Sequence, residues 1–311
     1  MSDEIDGEGI LAALRSMGPA GIAAMMPPGP DPSTYLSDPA LAAIETRDIA
    51  VTGPHGDVPT RLYRHPTTPP RGGFVWVHGG GFAAGDLDMA EAHWVSLSLA
   101  ARGFGVLSVD YQKCLGEVHY PVPSDDVLAA WRWAVENSEE LAGSGPLHLG
   151  GASAGGSLAG GVAKRLRDGE GTPPASLVLV YPTLHPDLPD MSDELAAATE
   201  AIRAAMPGEL FEWMQLNYAG TEDVFADPYA FPGIGDVGGQ PPIYILNSET
   251  DVLRASGEAY AAALTAAGGS VTCDLEPGTG HGHLNEPDLP EATRSVERIV
   301  AWLGHTEGQL R

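Results

Sequence analysis

Hydrophobic positions along the chain follow two alternating patterns. Short apolar runs bounded by glycine, proline or acidic residues are typical of buried strands, and the stretches after them carry apolar residues at helical spacing. The runs predict strands at 45–51, 58–64, 73–78, 104–110, 146–151, 175–181, 243–247 and 271–275. The helical stretches are 90–101, 154–167, 254–267 and 291–303, together with one that we expect to begin at Ser124 as N-cap.

This alternation of strands and helices predicts an α/β fold with a mostly parallel central sheet flanked by helices. Two segments fall outside the pattern, the Pro-rich residues 1–44 and residues 183–240. Insertions over the carboxyl ends of strands often build a cap above a site. We therefore expect a catalytic domain of 45–182 and 241–311, an N-terminal cap segment and a cap insertion.

Charge and composition exclude several classes of protein. The formal net charge is −26, so phosphate backbones and anionic membrane surfaces would be repelled, and we expect neither nucleic-acid nor membrane partners. No apolar run approaches the roughly 18 to 20 residues needed to span a bilayer. Residues 1–9 are acidic and do not resemble a secretory signal. The expected location is therefore cytoplasmic.

The strongest chemical signal is the pentapeptide Gly151-Ala152-Ser153-Ala154-Gly155, between a predicted strand and a predicted helix. A G-x-S-x-G sequence in that context is the sharp turn that exposes a nucleophilic serine at the end of a helix. A glycine-rich turn with a buried serine is the alternative. The strand–turn–helix context favours Ser153 as nucleophile.

A second signal, His78-Gly79-Gly80-Gly81-Phe82, directly follows the predicted strand 73–78. Successive glycines let backbone N–H groups turn toward a ligand, as the oxyanion of an acyl transfer requires. A flexible loop is the alternative, which the later serine turn disfavours.

A serine nucleophile needs a base and an acid, expected in the order Ser, Asp or Glu, His. Asp251 follows the predicted strand 243–247, and His281 follows the predicted strand 271–275. Both therefore lie where α/β active sites gather. Glu249 and His283 are the nearest rivals, and we favour Asp251 and His281.

Taken together, these motifs resemble the hormone-sensitive-lipase-like branch of the α/β-hydrolases, the microbial esterases and lipases with an HGGG oxyanion motif. The resemblance covers roughly residues 70 to 303. It is carried by VWVHGGGF at 75–82, VDYQ at 109–112, YPVPSDDVLAAWRW at 120–133, GGASAGGSLA at 150–159, DVLRASGEAYAAAL at 251–264 and GHGH at 280–283.

The resemblance implies a carboxylic-ester hydrolase with Ser153, Asp251 and His281 as its triad. It also implies that the backbones of Gly80, Gly81 and Ala154 donate to the oxyanion, and that His78 and Gly79 support the motif. Relatives often form dimers, which leaves a homodimer open.

Three positions depart from the family pattern and put the subgroup and substrate in doubt. Ala152 stands where bacterial members usually have Asp or Thr, residues 112–117 are altered and one residue longer, and His283 replaces a usual Phe.

The expected reaction is a two-step acyl transfer to Ser153, with short-to-medium acyl esters as substrates and no cofactor. His78 lacks a second His or acidic partner at metal-ligand spacing, so we expect no metal. An amidase, or a hydrolase of one specialised ester or lactone, is the alternative enzyme. A non-catalytic binding protein of this fold is disfavoured because all three triad residue types are present.

Apolar side chains in the two outlying segments suggest where a substrate binds. Phe211 and Met214, and likewise Met214 and Tyr218, are spaced to share one helix face. We predict Phe211, Trp213 and Met214, with Phe82, as pocket residues, although the same face would also suit packing on the core.

Overall fold

The computed structural model describes residues 30–205 and 208–309. Its strands are β1 (Glu45–Gly53), β2 (Gly56–Arg64), β3 (Gly72–Val77), β4 (Phe104–Val109), β5 (Leu147–Ala152), β6 (Ser176–Val180), β7 (Ile243–Thr250) and β8 (Val271–Gly280). They form a single sheet in the order β1-β2-β4-β3-β5-β6-β7-β8. Pairing is antiparallel from β1 through β2 to β4 and parallel elsewhere. The predicted α/β architecture is thereby confirmed.

The helices alternate with these strands, as the sequence pattern predicts. They are α1 (Pro32–Tyr35), α2 (Pro39–Ala42), α3 (Ala90–Ala101), α4 (Val122–Glu136), α5 (Ser138–Ala142), α6 (Ala154–Arg165), α7 (Asp193–Ala198), α8 (Glu200–Ala205), α9 (Gly208–Ala219), α10 (Arg254–Ala266) and α11 (Pro290–Gln309). Short π or 3-10 turns occupy Leu166–Glu170, Glu222–Ala226 and His283–Asn285.

Successive residues of the central strands point into two separate cores, because side chains alternate across a sheet. Val75 and Val77 of β3 lie in the core shared with α4, α6 and α10. Phe74 and Trp76 lie in the core shared with α3 and α11. Both faces of β3 are therefore buried, which explains why its sequence is continuously apolar.

One helix start was predicted wrongly. Helix α4 begins at Val122 after Pro121, and Ser124 lies inside the first turn with its side chain accepting from Arg165 Nη1 at 3.0 Å. Pro123 suits this first turn because the N–H that proline lacks has no helical partner there. Ser124 is therefore not the N-cap.

Residues 30–44, the described part of the predicted N-terminal cap segment, pack beside α3. Tyr35, Leu41 and Ile44 are buried in the core that α3 shares with α11. Residues 1–29 lie outside the described residues. The predicted insertion 183–240 contains α7, α8 and α9, with residues 206 and 207 outside the description.

Parallel strands bring their carboxyl ends to one edge of a sheet, where α/β sites gather. The chain leaves that edge at residue 78 after β3, 153 after β5, 181 after β6, 251 after β7 and 281 after β8. Five loops distant in sequence thus meet at one place. Among the residues described, no helix is long and apolar enough to cross a membrane.

Candidate active site

The turn between β5 and α6 holds Ser153 in a strained backbone conformation. Its φ of 52° is positive, and such sparsely populated backbone conformations cost a residue with a side chain on the order of 1–3 kcal/mol. A methyl group on Gly151 would lie 2.5 Å from Gly155 O, and one on Gly155 would lie 2.1 Å from Val77 O. The turn therefore closes only with glycine at both positions, and it presents Ser153 at the amino end of α6.

His281 and Asp251 reach Ser153 in one hydrogen-bonded chain. His281 Nε2 lies 3.0 Å from Ser153 Oγ, and His281 Nδ1 lies 2.7 Å from Asp251 Oδ2. The Asp251 side chain is 2% exposed, and its second oxygen accepts the Leu253 N–H at 2.9 Å. The structure thus brings the three predicted triad residues together in the order that nucleophilic catalysis requires.

Asp251 also sets the proton arrangement of His281. A proton on Nδ1 is donated to the carboxylate, which leaves Nε2 to accept from the serine hydroxyl. Desolvation lowers the pKa of His281, but the charge and hydrogen bond of Asp251, with the charge of Glu91, outweigh it and raise the pKa above its usual value. The imidazole is therefore suited to hold a proton taken from Ser153.

The two rival residues point elsewhere. Glu249 Oε2 accepts the Gly278 N–H at 2.8 Å. His283 is buried, with Nδ1 2.9 Å from Ser248 Oγ and Nε2 2.8 Å from Ser295 Oγ. Burial lowers the pKa of His283 to about 4, so it is neutral over the pH range in which His281 titrates. Its contacts fit a structural role beside the site.

The glycine loop after β3 offers backbone donors next to the serine. Gly80 and Gly81 have φ of 108° and 59°, and Phe82 has a φ of 62°. Among the residues described, the amides of Gly80, Gly81 and Ala154 donate to no protein acceptor. These amides are the predicted oxyanion donors, and they are free for a ligand. The Gly79 N–H is instead taken by Glu91 Oε1 at 2.5 Å.

His78 holds the glycine loop from behind. The ring is fully buried, stacks on Tyr111 with centroids 4.8 Å apart, and places Nδ1 2.7 Å from Gly79 O. Tyr111 OH donates to the same carbonyl at 3.0 Å. On the far side, Lys113 Nζ lies 3.3 Å from His78 Nε2 and 2.6 Å from Asp110 Oδ1. The N–H and the carbonyl group of Gly79 therefore both have hydrogen-bond partners. This supports the predicted role of His78 and Gly79.

An apolar cluster connects the insertion with the loop of Asp251. Phe211 of α9 is buried against Val252 and Leu253, which directly follow Asp251. Met214 packs on the same cluster and covers the glycine loop, since a methyl group on Gly81 would lie 2.8 Å from its sulfur. Trp213 is half-buried. Of the predicted pocket residues, Phe211 and Met214 thus lie at the site.

The stacked rings of Phe82 and Tyr218 anchor the end of the glycine loop to α9. The two rings are fully buried and stack with centroids 3.9 Å apart. Phe82 therefore lies under α9, and the shared face predicted for Met214 and Tyr218 runs from the site into the main core.

Side-chain amides of α9 bond both to the start of the insertion and to the catalytic domain. Gln215 Nε2 donates to Thr183 Oγ1 and to His185 O, both at 2.9 Å. Asn217 Nδ2 donates to Cys114 O at 2.8 Å. Gln215 therefore holds α9 within the insertion, whereas Asn217 connects α9 to the segment after β4.

Three residues with contacts at the site were not singled out from the sequence. They are Glu91, Tyr181 and Lys113. Lys113 lies in the segment 112–117. The departure of this segment from the family pattern was a sequence signal of a change near the glycine loop. Glu91 lies in a predicted helix and Tyr181 ends a strand, so neither carried a motif. Residues 30–205 and 208–309 contain no group of three His, Cys, Asp or Glu residues that could hold a metal ion.

Comparison with protein families gives a match over residues 74–285 to the family described as alpha/beta hydrolase fold. The matched region runs from within β3 to the turn after His281, so it contains every strand end described above.

Two characterised bacterial enzymes are similar to the chain over most of their length. Carboxylesterase NlhH of Mycobacterium tuberculosis is 34% identical over 269 residues, which is 84% of this chain and 82% of the relative. Ethyl acetate hydrolase of Pseudomonas putida is 32% identical over 261 residues, covering 81% of this chain and 80% of the relative.

Solved structures of esterases share the fold. An esterase from Pyrobaculum calidifontis superposes with a TM-score of 0.77 at 27% identity, over 94% of this chain and 95% of the other. Esterase LipW from Mycobacterium marinum gives a TM-score of 0.74 at 30% identity, over 88% and 84%.

Proposed function

This chain belongs to the hormone-sensitive-lipase-like branch of the alpha/beta-hydrolase family and is a carboxylesterase-type hydrolase, and we propose that Ser153 is its nucleophile. The observation that carries the proposal is the continuous chain of Ser153, His281 and Asp251, with contacts of 3.0 and 2.7 Å. A serine hydroxyl becomes a competent nucleophile only beside such a base.

In the first step, Ser153 Oγ attacks the carbonyl carbon of the ester while His281 Nε2 takes the hydroxyl proton. The carbonyl oxygen becomes an anion, and the carbon–oxygen bond to the alcohol then breaks. His281 returns its proton to the departing alcohol, which leaves an acyl group on Ser153. Asp251 orients the imidazole and stabilises its charged form throughout.

In the second step, water replaces the alcohol. His281 takes a proton from the water as its oxygen attacks the acyl carbon, and the proton then goes to Ser153 Oγ as the acid departs. Every proton removed is returned, so the cycle needs no cofactor. The N–H groups of Gly80, Gly81 and Ala154 are the proposed donors to the oxyanion in both steps.

The substrates proposed are esters of short-to-medium acyl groups, roughly two to eight carbons long. Ser153 is 6% exposed, Met214 lies over Gly81 of the neighbouring glycine loop, and Phe211 packs against Val252 and Leu253 beside Asp251. Pocket walls of this kind favour a compact apolar acyl group. The relative named ethyl acetate hydrolase acts, by its name, on a two-carbon acyl ester.

The insertion 183–240 is proposed to be the cap over this site, together with the N-terminal segment 1–44. Support comes from α9, which contributes Phe211 and Met214 and is tied to the catalytic domain by the bond from Asn217 Nδ2 to Cys114 O. The cytoplasmic location and a homodimer stay predictions.

A fluorophosphonate tests the nucleophile directly, because it phosphonylates a serine that has an active base. We expect one adduct per chain, located on Ser153 by mass spectrometry, and loss of hydrolysis in proportion to labelling. The matched control is Ser157, a buried serine one helical turn later in α6, which we expect to stay unlabelled. An enzyme that hydrolyses esters without any adduct at Ser153 would contradict the proposal.

A further inference from the structure

Glu91 is a carboxylate buried beside the site, and no Lys or Arg of the described residues pairs with it. It is the second residue of α3 and is 2% exposed. Glutamate is almost never fully buried unless it is paired. No Lys or Arg forms an ion pair with it among the residues described, and its acceptor bonds come from a backbone amide, a phenol and a side-chain amide.

The first oxygen of Glu91 holds the glycine loop. Oε1 accepts the Gly79 N–H at 2.5 Å, and bonds in which one partner is ionised are shorter than bonds between neutral groups. A methyl group on Gly79 would lie 2.7 Å from this oxygen and 3.0 Å from Ser153 Cβ. Gly79 therefore lies between the Glu91 carboxylate and Ser153, close to both. The N–H of Gly79 is therefore occupied. The N–H groups of Gly80 and Gly81 have no acceptor among the residues described and are the loop's free donors.

The second oxygen of Glu91 holds the residue beneath the catalytic imidazole. Oε2 accepts the Tyr181 hydroxyl at 2.5 Å. Burial, with the nearby Glu91 charge, raises the pKa of Tyr181 well above its usual value, so the phenol keeps the proton it donates. The Tyr181 ring meets the His281 ring edge-on, with centroids 5.1 Å apart.

The backbone of Tyr181 is itself strained, since its φ is 36°. A non-glycine residue in this region persists only when its surroundings hold it, and such residues cluster at functional sites. The Tyr181 N–H donates to Leu246 O at 2.8 Å, and its hydroxyl is held by Glu91. The bond to Glu91 therefore helps to keep a strained residue in place under His281.

Glu91 also reaches the loop that follows His281. The Glu91 N–H donates to Asn285 Oδ1 at 3.2 Å, and Asn285 Nδ2 lies 3.4 Å from Glu91 Oε2. The same amide nitrogen donates to Gly282 O at 3.3 Å. Gly282 is the residue after the catalytic histidine, so this contact ties α3 to the histidine loop.

We propose that Glu91 is a positioning residue for ester hydrolysis, whose carboxylate fixes the oxyanion loop and the histidine loop relative to each other. The proposal rests on the proposed role of Ser153. Gly79, Tyr181 and Asn285 come from loops after three different strands, and Glu91 contacts all three. A single side chain thereby sets the relative position of the oxyanion donors and the base.

The charge of Glu91 has a second consequence. Together with Asp251 it raises the pKa of His281, so it stabilises the imidazolium that forms as Ser153 attacks. Replacing the charge with a neutral amide of the same shape should lower that pKa. A purely structural contact would not move the titration of His281, which makes the pH profile a specific readout.

The test is Glu91→Gln, with kcat, KM and the acid limb of kcat/KM measured on a nitrophenyl ester. Misplacement of reacting groups by about 1 Å costs on the order of 100-fold in rate. We expect kcat to fall by about that factor with KM little changed, and the acid limb to move to lower pH. Tyr181→Phe, which removes only the hydroxyl, should lower kcat by a smaller factor.

Asp126→Asn is the matched control. Asp126 is also a fully buried carboxylate that accepts a backbone amide, from Gln112 at 2.8 Å, but its contact lies in the segment after β4. We expect this variant to keep the wild-type kcat and acid limb, even if its unfolding temperature falls.

Glu91→Gln with wild-type kcat and acid limb would overturn the proposal, as would equal losses in Glu91→Gln and Asp126→Asn. If Glu91→Gln does not fold, Tyr181→Phe decides, and unchanged kcat in that variant counts against the proposal. Failure of the proposed function is distinguishable, because the wild-type protein would then hydrolyse the ester without a fluorophosphonate adduct on Ser153.

Discussion

The sheet edge around Ser153 and the insertion 183–240 are held by different forces. At the edge, backbone atoms approach so closely that only glycine fits at positions 151 and 155, and carboxylates accept hydrogen bonds of 2.5 to 2.7 Å. The insertion meets the catalytic domain through apolar side chains and an amide bond from Asn217 to Cys114 O. Geometry fixed this tightly controls rate, whereas apolar contact controls preference among substrates in smaller increments.

The largest effect that this comparison predicts is at the nucleophile. Ser153→Ala should lower kcat by about a million-fold, because triad members act as a unit. The fold should persist, since the hydroxyl's side-chain contact is with a partly exposed imidazole. Nitrophenyl-ester turnover and circular dichroism measure the two properties. Normal turnover by the folded variant would contradict the mechanism.

Variants of His281 and His283 distinguish a catalytic role at the sheet edge from a packing role. His281→Ala should lower kcat about as much as loss of the serine. His283→Ala should keep most of the turnover but lose roughly 1–3 kcal/mol of stability, because buried Ser248 would lose its side-chain partner and Ser295 would keep only Glu276. Kinetics and thermal unfolding of both variants measure this. The reverse pattern would identify His283 as the base.

The pH dependence tests the electrostatics of the same edge. Only neutral His281 accepts the serine proton, and its pKa is raised above the ordinary value of 6.5. Activity should therefore rise with pH by about tenfold per unit below that pKa and level off above it, with a midpoint higher than 6.5. A profile of kcat/KM from pH 5 to 9 measures the midpoint, and a midpoint below 6.5 would contradict this environment for His281.

The smallest effects are expected in the insertion. Phe211→Ala and Met214→Ala should shift the preferred acyl length of nitrophenyl esters, since one methylene contact is worth about 1 to 3 kcal/mol. Trp213→Ala should shift it less, because Trp213 lies outside the apolar cluster of Phe211 and Met214 as far as the structure describes it.

Fluorophosphonate labelling of Ser153 should survive in all three insertion variants. Unchanged chain-length profiles with lowered unfolding temperatures would mean that these side chains are core, and that the pocket lies elsewhere. A profile maximum at twelve carbons or beyond in the wild-type protein would contradict the proposed short acyl preference.

The sequence determined the elements and the residues that carry a local pattern. The apolar runs predicted the strands because strands buried on both faces are continuously apolar, as in β3. The sharp turn at Ser153 was readable because its close approaches require glycine at fixed spacing. Asp251 and His281 were readable because carboxyl ends of parallel strands converge.

Only the tertiary structure decided which residues meet across long separations in the chain. Glu91 looks like any acidic residue in the first turn of a helix, and its contacts with Gly79, Tyr181 and Asn285 exist only once three loops are packed together. Met214 likewise reaches Gly81 through the position of α9, which no periodicity specifies. Local backbone geometry leaves a pattern in sequence, whereas a contact between distant side chains depends on packing and leaves none.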